Sequence, residues 1–212
     1  MVRPAKPLIN RHTVVETAIE IIDSDGLDAF SLPRLAAHLG VRAPSLYHHF
    51  TSKNEILLSV VRHVAGSSLA PCEMSPGPHW PGYFVMLAAN FRHSILRYRN
   101  IAPLLLLYPP RDLIPEGYEQ ATAFLRESGV PAALHIKIID GVETLSVGAV
   151  LSEAIEAVQR HPVGFGGVDP VREPLLSSAL RACSLSSDDL FEEKIRGFLR
   201  GVTLTERLQA VV

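Results

Sequence analysis

Residues 31–53 read SLPRLAAHLGVRAPSLYHHFTSK, and their spacing predicts two short helices about a tight turn. Ser31 carries a hydroxyl that accepts from free N–H groups of a first helical turn. Pro33 falls inside that turn, where a missing N–H costs little. Leu32, Leu35, Ala36 and Leu39 recur at helical spacing and turn one stripe inward, which leaves Arg34 and His38 outside. Gly40 tolerates the left-handed backbone that ends a helix. Val41 is then a buried pivot, and Pro44 suits the first turn of the second helix. Leu46 and Phe50 lie four apart and face the core, so Arg42, Ala43, Ser45, Tyr47, His48 and His49 spread over accessible surface. Ser52 caps a following helix that opens at Lys53. The pattern is a helix-turn-helix with the second helix as reader of a DNA groove.

The run LxxLAAHLGVRAPSLYHHFTSK resembles the signature of the tetracycline-repressor (TetR) family of transcriptional regulators. The resemblance implies an unusually short reader helix. It further implies phosphate contacts from Tyr47, His49 and Lys53, with Arg42, Ala43, Pro44 and Ser45 nearest the base edges. Pro33 departs from the pattern, since many relatives carry a polar or basic residue there, and Arg34 stands beside it to take over the contact. The expected DNA-contacting set is therefore Ser31, Arg34, Arg42, Ala43, Pro44, Ser45, Tyr47, His48, His49 and Lys53. Solvated surface histidine is the plain reading of His38, and an alternative for His48. Adjacent His48 and His49 diverge by about 100 degrees around a helix, which does not suit a shared metal ion.

Charge supports this reading locally. The chain carries a formal net charge of −2, unlike a general nucleic-acid coat protein. Residues 31–53 nonetheless hold Arg34, Arg42 and Lys53 and no acid, and Arg3, Lys6 and Arg11 form a basic arm ahead of the first helix. So modest a charge predicts few phosphate contacts per subunit and an affinity that falls with salt. Specificity then rests on base edges and DNA shape.

The remaining pattern is helical, and the expected fold is all-α. Residues 11–24 place Val15, Ala18, Ile19 and Ile22 on one face and complete a three-helix DNA-binding domain. Residues 52–69 carry Ile56, Leu57, Val60, Val61 and Val64 and form a linking helix. Four prolines and a glycine between 70 and 81 forbid continuous helix. The expected division is 1–69 for DNA binding, with the linking helix, and 70–212 for a helical effector-binding and dimerisation domain. Helices are expected at about 80–98, 101–107, 116–128, 131–160, 174–183 and 188–209.

The segment 131–160 is apolar nearly all round, which requires neighbours on two sides. The last helix sets Phe191, Ile195, Phe198 and Val202 on one stripe, with Gly197 and Gly201 one turn apart. The economical solution is a four-helix interface between two copies, built from Val142, Leu145, Phe191, Ile195, Phe198 and Val202. The same pairing follows from the resemblance, whose C-terminal half is similar in layout to the tetracycline repressors themselves. Such a dimer presents two readers to a palindromic operator.

Aromatic residues in the second half suggest a small-molecule pocket with a mainly apolar lining. The expected contacts are Trp80, Phe84, Asn90, Phe91, His93, Tyr108, His135, Ile139 and Glu143, against the alternative of ordinary core packing. Tetracycline repressors hold a metal-chelated drug with histidines that this chain lacks: Leu69 stands at the first such place, and 104–111 contains none. No metal and no cofactor are expected. Cys72 and Cys183 make neither a metal spacing nor a disulfide framework, no apolar signal segment opens the chain, and no apolar run approaches a membrane span, so a cytoplasmic setting is expected. Gly-x-Ser-x-Gly, phosphate-binding glycine loops and His-Glu-x-x-His spacing are all missing, so an enzyme is not expected. The expected function is a sequence-specific regulator, a repressor released from its operator by a largely apolar ligand. The alternatives are a regulator or adaptor without an effector, or an activator.

Overall fold

The computed structural model describes residues 9–69, 73–158 and 168–209. Helix α1, Arg11–Asp25, starts at a reciprocal cap in which the Asn10 side chain accepts from the Thr13 N–H at 2.9 Å and Thr13 Oγ1 accepts from the Asn10 N–H at 3.1 Å. Val14, Val15, Ala18, Ile19 and Ile22 are buried along it. Helix α2, Leu32–His38, is capped by Ser31 as expected, and Gly40 takes the left-handed φ of 64° that turns the chain. Val41 then donates back to the Ala36 carbonyl at 2.9 Å, although its side chain is half-buried rather than fully enclosed.

The reader is tighter than an α-helix. Ala43–His48 form one 3-10 helix, closed from the start by the Ser45 N–H on the Arg42 carbonyl at 2.9 Å. The reader is held at its far end by two buried anchors, Leu46 and Phe50, joined by the Phe50 N–H on the Leu46 carbonyl at 3.0 Å. Helix α3, Lys53–Gly66, follows, with Ser52 accepting from the Glu55 N–H at 3.2 Å.

The second half comprises α4 (Trp80–Leu96), α5 (Leu104–Leu107), α6 (Pro110–Leu113), α7 (Pro115–Glu127), α8 (Ala132–Val158), α9 (Pro174–Ala182) and α10 (Ser187–Gln209). No strand occurs among the described residues, in accord with the all-α expectation. The expected helix 101–107 is instead a 3-10 turn, Arg99–Ile101, followed by the single-turn α5. Helix α6 went unforeseen because Pro109-Pro110 reads as a break, whereas Pro110 occupies its first turn.

Two apolar clusters hold these elements. The first joins α1, α2, the reader and α3 to Ile95, Ile101, Leu104, Leu113 and Ile114, and reaches Val150 and Ala154 on α8. Packing therefore runs continuously across residue 69, and Asn100 Nδ2 ties the second half to α1 by donating to the Asp23 carbonyl at 2.8 Å. The second cluster packs α4, α7, α8 and α10, with the Tyr83 and Phe124 rings stacked 3.9 Å apart.

That second cluster takes up three of the residues expected at a dimer interface. Val142, Phe191 and Ile195 are buried inside the protomer, because α10 packs on α4 and α8 of its own chain. A Cβ at Gly141 would overlap the Phe198 ring, so this glycine serves contact within the protomer. The large apolar residues left exposed are Ile136, Leu145 and Ile155 on α8 and Leu190 and Leu204 on α10. Gly197 and Gly201 lie on the same open side, with nothing near an added Cβ. Between α4, α8 and α10 sits a buried Arg92, whose guanidinium grips Glu153 at 2.8 and 2.6 Å and Asp188 at 2.6 Å. An arginine in an amphipathic helix reads as solvated surface, and nothing local announces such a partner set.

Candidate DNA interface and ligand cavity

The fold brings the reader to one surface. Leu46 anchors it from below, Arg42, Pro44, Tyr47 and His48 are exposed, and Ala43, Ser45 and His49 are half-buried. Its far end is clamped by Arg11, which the sequence suggested as part of a loose basic arm. The Arg11 guanidinium donates to the His49 carbonyl, donates to Glu55 Oε1 at 2.8 Å, and lies 4.1 Å from the centre of the Phe50 ring. Glu55 also accepts from the backbone and hydroxyl of Thr51 at 2.6 and 2.8 Å. The Thr51 backbone N–H first, and then Arg11, hold its carboxyl down at about 2. Arg3 and Lys6 lie outside the described residues.

The other cations of this face are engaged as well. Arg34 pairs with Asp25 at the end of α1, and its carbonyl meets His38 Nδ1 at 3.0 Å. Lys53 donates to the Phe30 carbonyl at 2.8 Å. Ser31 accepts from the Arg34 N–H at 3.4 Å, so its hydroxyl serves the cap. Among the described arginines and lysines of this face, Arg42 is the one left without an intramolecular partner. It stands where the reader begins, and a free guanidinium there suits bidentate contact with a guanine edge.

The second feature is a cavity of about 100 Å³ between α4, α7 and α8. Phe84, Leu87 and Phe91 form one wall, Ile139 and Val142 another, and Pro110, Ile114 and Gly117 a third. Ser68 and Leu69, just beyond α3, close one side. Four of the nine expected pocket residues, Phe84, Phe91, Ile139 and Glu143, are on the wall. The other five are placed elsewhere. Trp80 lies behind the wall, edge-on to Phe84 at 6.0 Å, and Tyr108 packs on the first cluster. His135 is buried with Nε2 at 2.9 Å from the Val130 carbonyl. His93 is exposed, between the Ala89 carbonyl and Asp188, and Asn90 is half-buried off the lining.

The polar end of this cavity was only partly foreseen. Glu143, with 11 % of its side chain exposed, accepts from exposed Arg111 Nε at 3.2 Å, and Arg111 also meets Asp140 at 3.3 Å. Burial first, then the Glu143 charge, push the Tyr118 phenol well above the usual range. Tyr118 is thus a neutral donor. It escaped sequence reading because α7 showed no aromatic stripe around it, and its partner lies 25 residues away across a helix pair.

The cavity wall is joined to the linking helix. Arg62 Nε on α3 donates to the Leu113 carbonyl at 3.0 Å, and a terminal carbonyl of α6 has no partner in its own helix. Leu69 also presses on α7 so closely that a Cβ at Gly117 would lie 2.8 Å from its Cδ1. The opposite end of α3 begins at Lys53, next to the reader.

Comparison with known proteins gives matches along nearly the whole chain. Residues 14–60 match the family model described as bacterial regulatory proteins, tetR family, and residues 75–205 match the tetracyclin repressor-like C-terminal domain. Tetracycline repressor protein class D of Escherichia coli is 29% identical over 212 residues, covering 96% of this chain and 94% of that protein. The HTH-type transcriptional repressor DrrR1 of Streptomyces coeruleorubidus is 27% identical over 200 residues, covering 89% and 73%. Among solved structures, the TetR family protein ActR of Streptomyces coelicolor in complex with actinorhodin aligns with a TM-score of 0.69 at 25% identity, covering 93% of this chain and 98% of that one.

Proposed function

The chain belongs to the tetR family of bacterial regulatory proteins, and from that premise we propose that it is a repressor released from a palindromic operator by a small apolar ligand. A cavity hydrogen-bonded through α6 to the helix that leads into the reader carries this reading. Residues 1–69 act as the DNA-binding unit and 70–212 as the sensing and pairing unit, although their cores merge. Two copies associate through the open sides of α8 and α10, around Leu145, Ile155, Leu190, Gly197, Gly201 and Leu204. The regulator works in the cytoplasm and without catalysis.

Arg42 reads a base, Ala43, Pro44 and Ser45 fit the groove floor, and Tyr47, His48 and His49 meet phosphates. Ser31, Arg34 and Lys53 flank the groove, each held by an internal partner until DNA competes for it. Ligand binding moves α6 and α7, and α3 passes the movement to the two readers. The ligand must bind the two reader spacings with different affinity for this to work. A gel-shift titration of the full chain against DNA selected from a random pool tests the proposal. It expects an inverted repeat, and release when a cavity-bound compound is added. A non-repeated site, or tight ligand binding with undiminished DNA affinity, contradicts it.

A further inference from the structure

The chemistry of the cavity wall also selects its ligand, on the premise of the ligand-released regulator above. We infer that the effector is a small, metal-free molecule of no more than one ring carrying a neutral hydrogen-bond donor, and that carboxylates are rejected. Size comes first: an apolar cavity of roughly 150 Å³ accepts benzene, and this one is about 100 Å³. A larger skeleton requires the wall to open.

Polarity comes second. The cavity is lined by apolar side chains except for Ser68, Ser146, Tyr118 and Glu143. Both serine hydroxyls donate to carbonyls of their own chain segment, Ser68 to Ala65 and Ser146 to Val142, so they turn lone pairs toward the cavity. The Tyr118 phenol lies on the same wall as Glu143, and burial and that charge keep its proton on. A carboxylate has about four acceptor positions, and the Arg111 Nε–H occupies one of those on Glu143. The wall therefore offers mainly acceptors and one negative charge. A phenol or alcohol completes the Glu143 shell. A carboxylate meets like charge in a desolvated space, where repulsion is felt most. Metal chelation finds no support either, because Leu69 and Pro110 supply only hydrocarbon and no group of His, Cys, Asp and Glu among the described residues is placed to hold an ion.

The experiment compares 4-ethylphenol, ethylbenzene and 4-ethylbenzoate by calorimetry on the full chain, with emission of the single tryptophan, Trp80, as a second readout through Phe84. The phenol is expected to bind tightest, ahead of ethylbenzene by the order of tenfold, as for a hydrogen bond to a charged acceptor. The benzoate binds weakest. Glu143→Gln should narrow the phenol-to-benzoate ratio at least tenfold. Arg111→Gln, at an exposed position, should keep the phenol and weaken the benzoate further. Benzoate binding equal to or tighter than phenol, or a ratio unmoved by Glu143→Gln, overturns the inference. Benzoate binding lost selectively with Arg111→Gln from a strong starting value does so too, because Arg111 would then be receiving the acid. If no probe binds, this inference falls, while the ligand-released reading stands or falls on operator release by other compounds. Binding in the expected order without operator release leaves the chemistry standing and refutes the release.

Discussion

Arg62→Met tests how a cavity event reaches the reader. The substitution keeps most of the aliphatic stem and removes one charge-assisted hydrogen bond, Nε to the Leu113 carbonyl at 3.0 Å. Hydrogen bonds to charged groups contribute about 1.5–3 kcal/mol. Arg62 is exposed, which places this one at the low end, near 1.5 kcal/mol as an order of magnitude. Coupling between sites in regulators amounts to about 1–3 kcal/mol, so losing this contact removes much of it. The melting temperature should fall by only about 3–6 °C in a chain of this length. Operator affinity without ligand should change little, because the reader and its clamp are untouched. The assay is fluorescence anisotropy of labelled operator with and without saturating ligand, in both proteins. A release factor of several tens in the parent should drop to a few-fold in the variant. An unchanged release factor, with ligand still bound, refutes transmission through α6 and α3.

Arg42→Ala should cost about 1–3 kcal/mol of operator binding and relax preference at one base position, whereas equal loss on specific and random DNA reassigns Arg42 to a phosphate. Glu55→Gln removes the clamp at the reader's end. The Glu55 pKa is depressed in the folded chain, so its contribution is present above pH 4.5 and is lost as pH falls toward about 2, and the parent and variant melting temperatures should converge over that window. Ile195→Asp should unfold the protomer in circular dichroism, while Leu204→Glu should leave the protomer folded and halve the mass seen in solution. A folded monomeric Ile195→Asp protein would restore Ile195 to the interface.

What the sequence disclosed were features settled within a turn or two of chain. Ser31 and Ser52 cap where their hydroxyls precede a free N–H, Gly40 turns where only a residue without Cβ is at ease, and Leu46 and Phe50 face inward at four-residue spacing. Features that depend on distant partners stayed hidden. Arg11 reads as a phosphate ligand until it is seen to meet the His49 carbonyl 38 residues on, and Arg92 reads as surface until Glu153 arrives from 61 residues away. For α8 and α10, apolar on several faces, composition predicts that two neighbours exist but does not assign which face meets its own chain. Sequence alone therefore sets Ile195 and Val142 against a partner and gives no sign of Tyr118, although Phe84, Phe91, Ile139 and Glu143 do reach the cavity.

Reciprocity gives the most direct test of the central claim that cavity and reader share one energy balance. Ligand affinity is measured by Trp80 emission in the free chain and again with saturating operator. The account predicts that operator weakens ligand binding by the same factor by which ligand weakens operator binding. Ligand affinity indifferent to bound operator contradicts it.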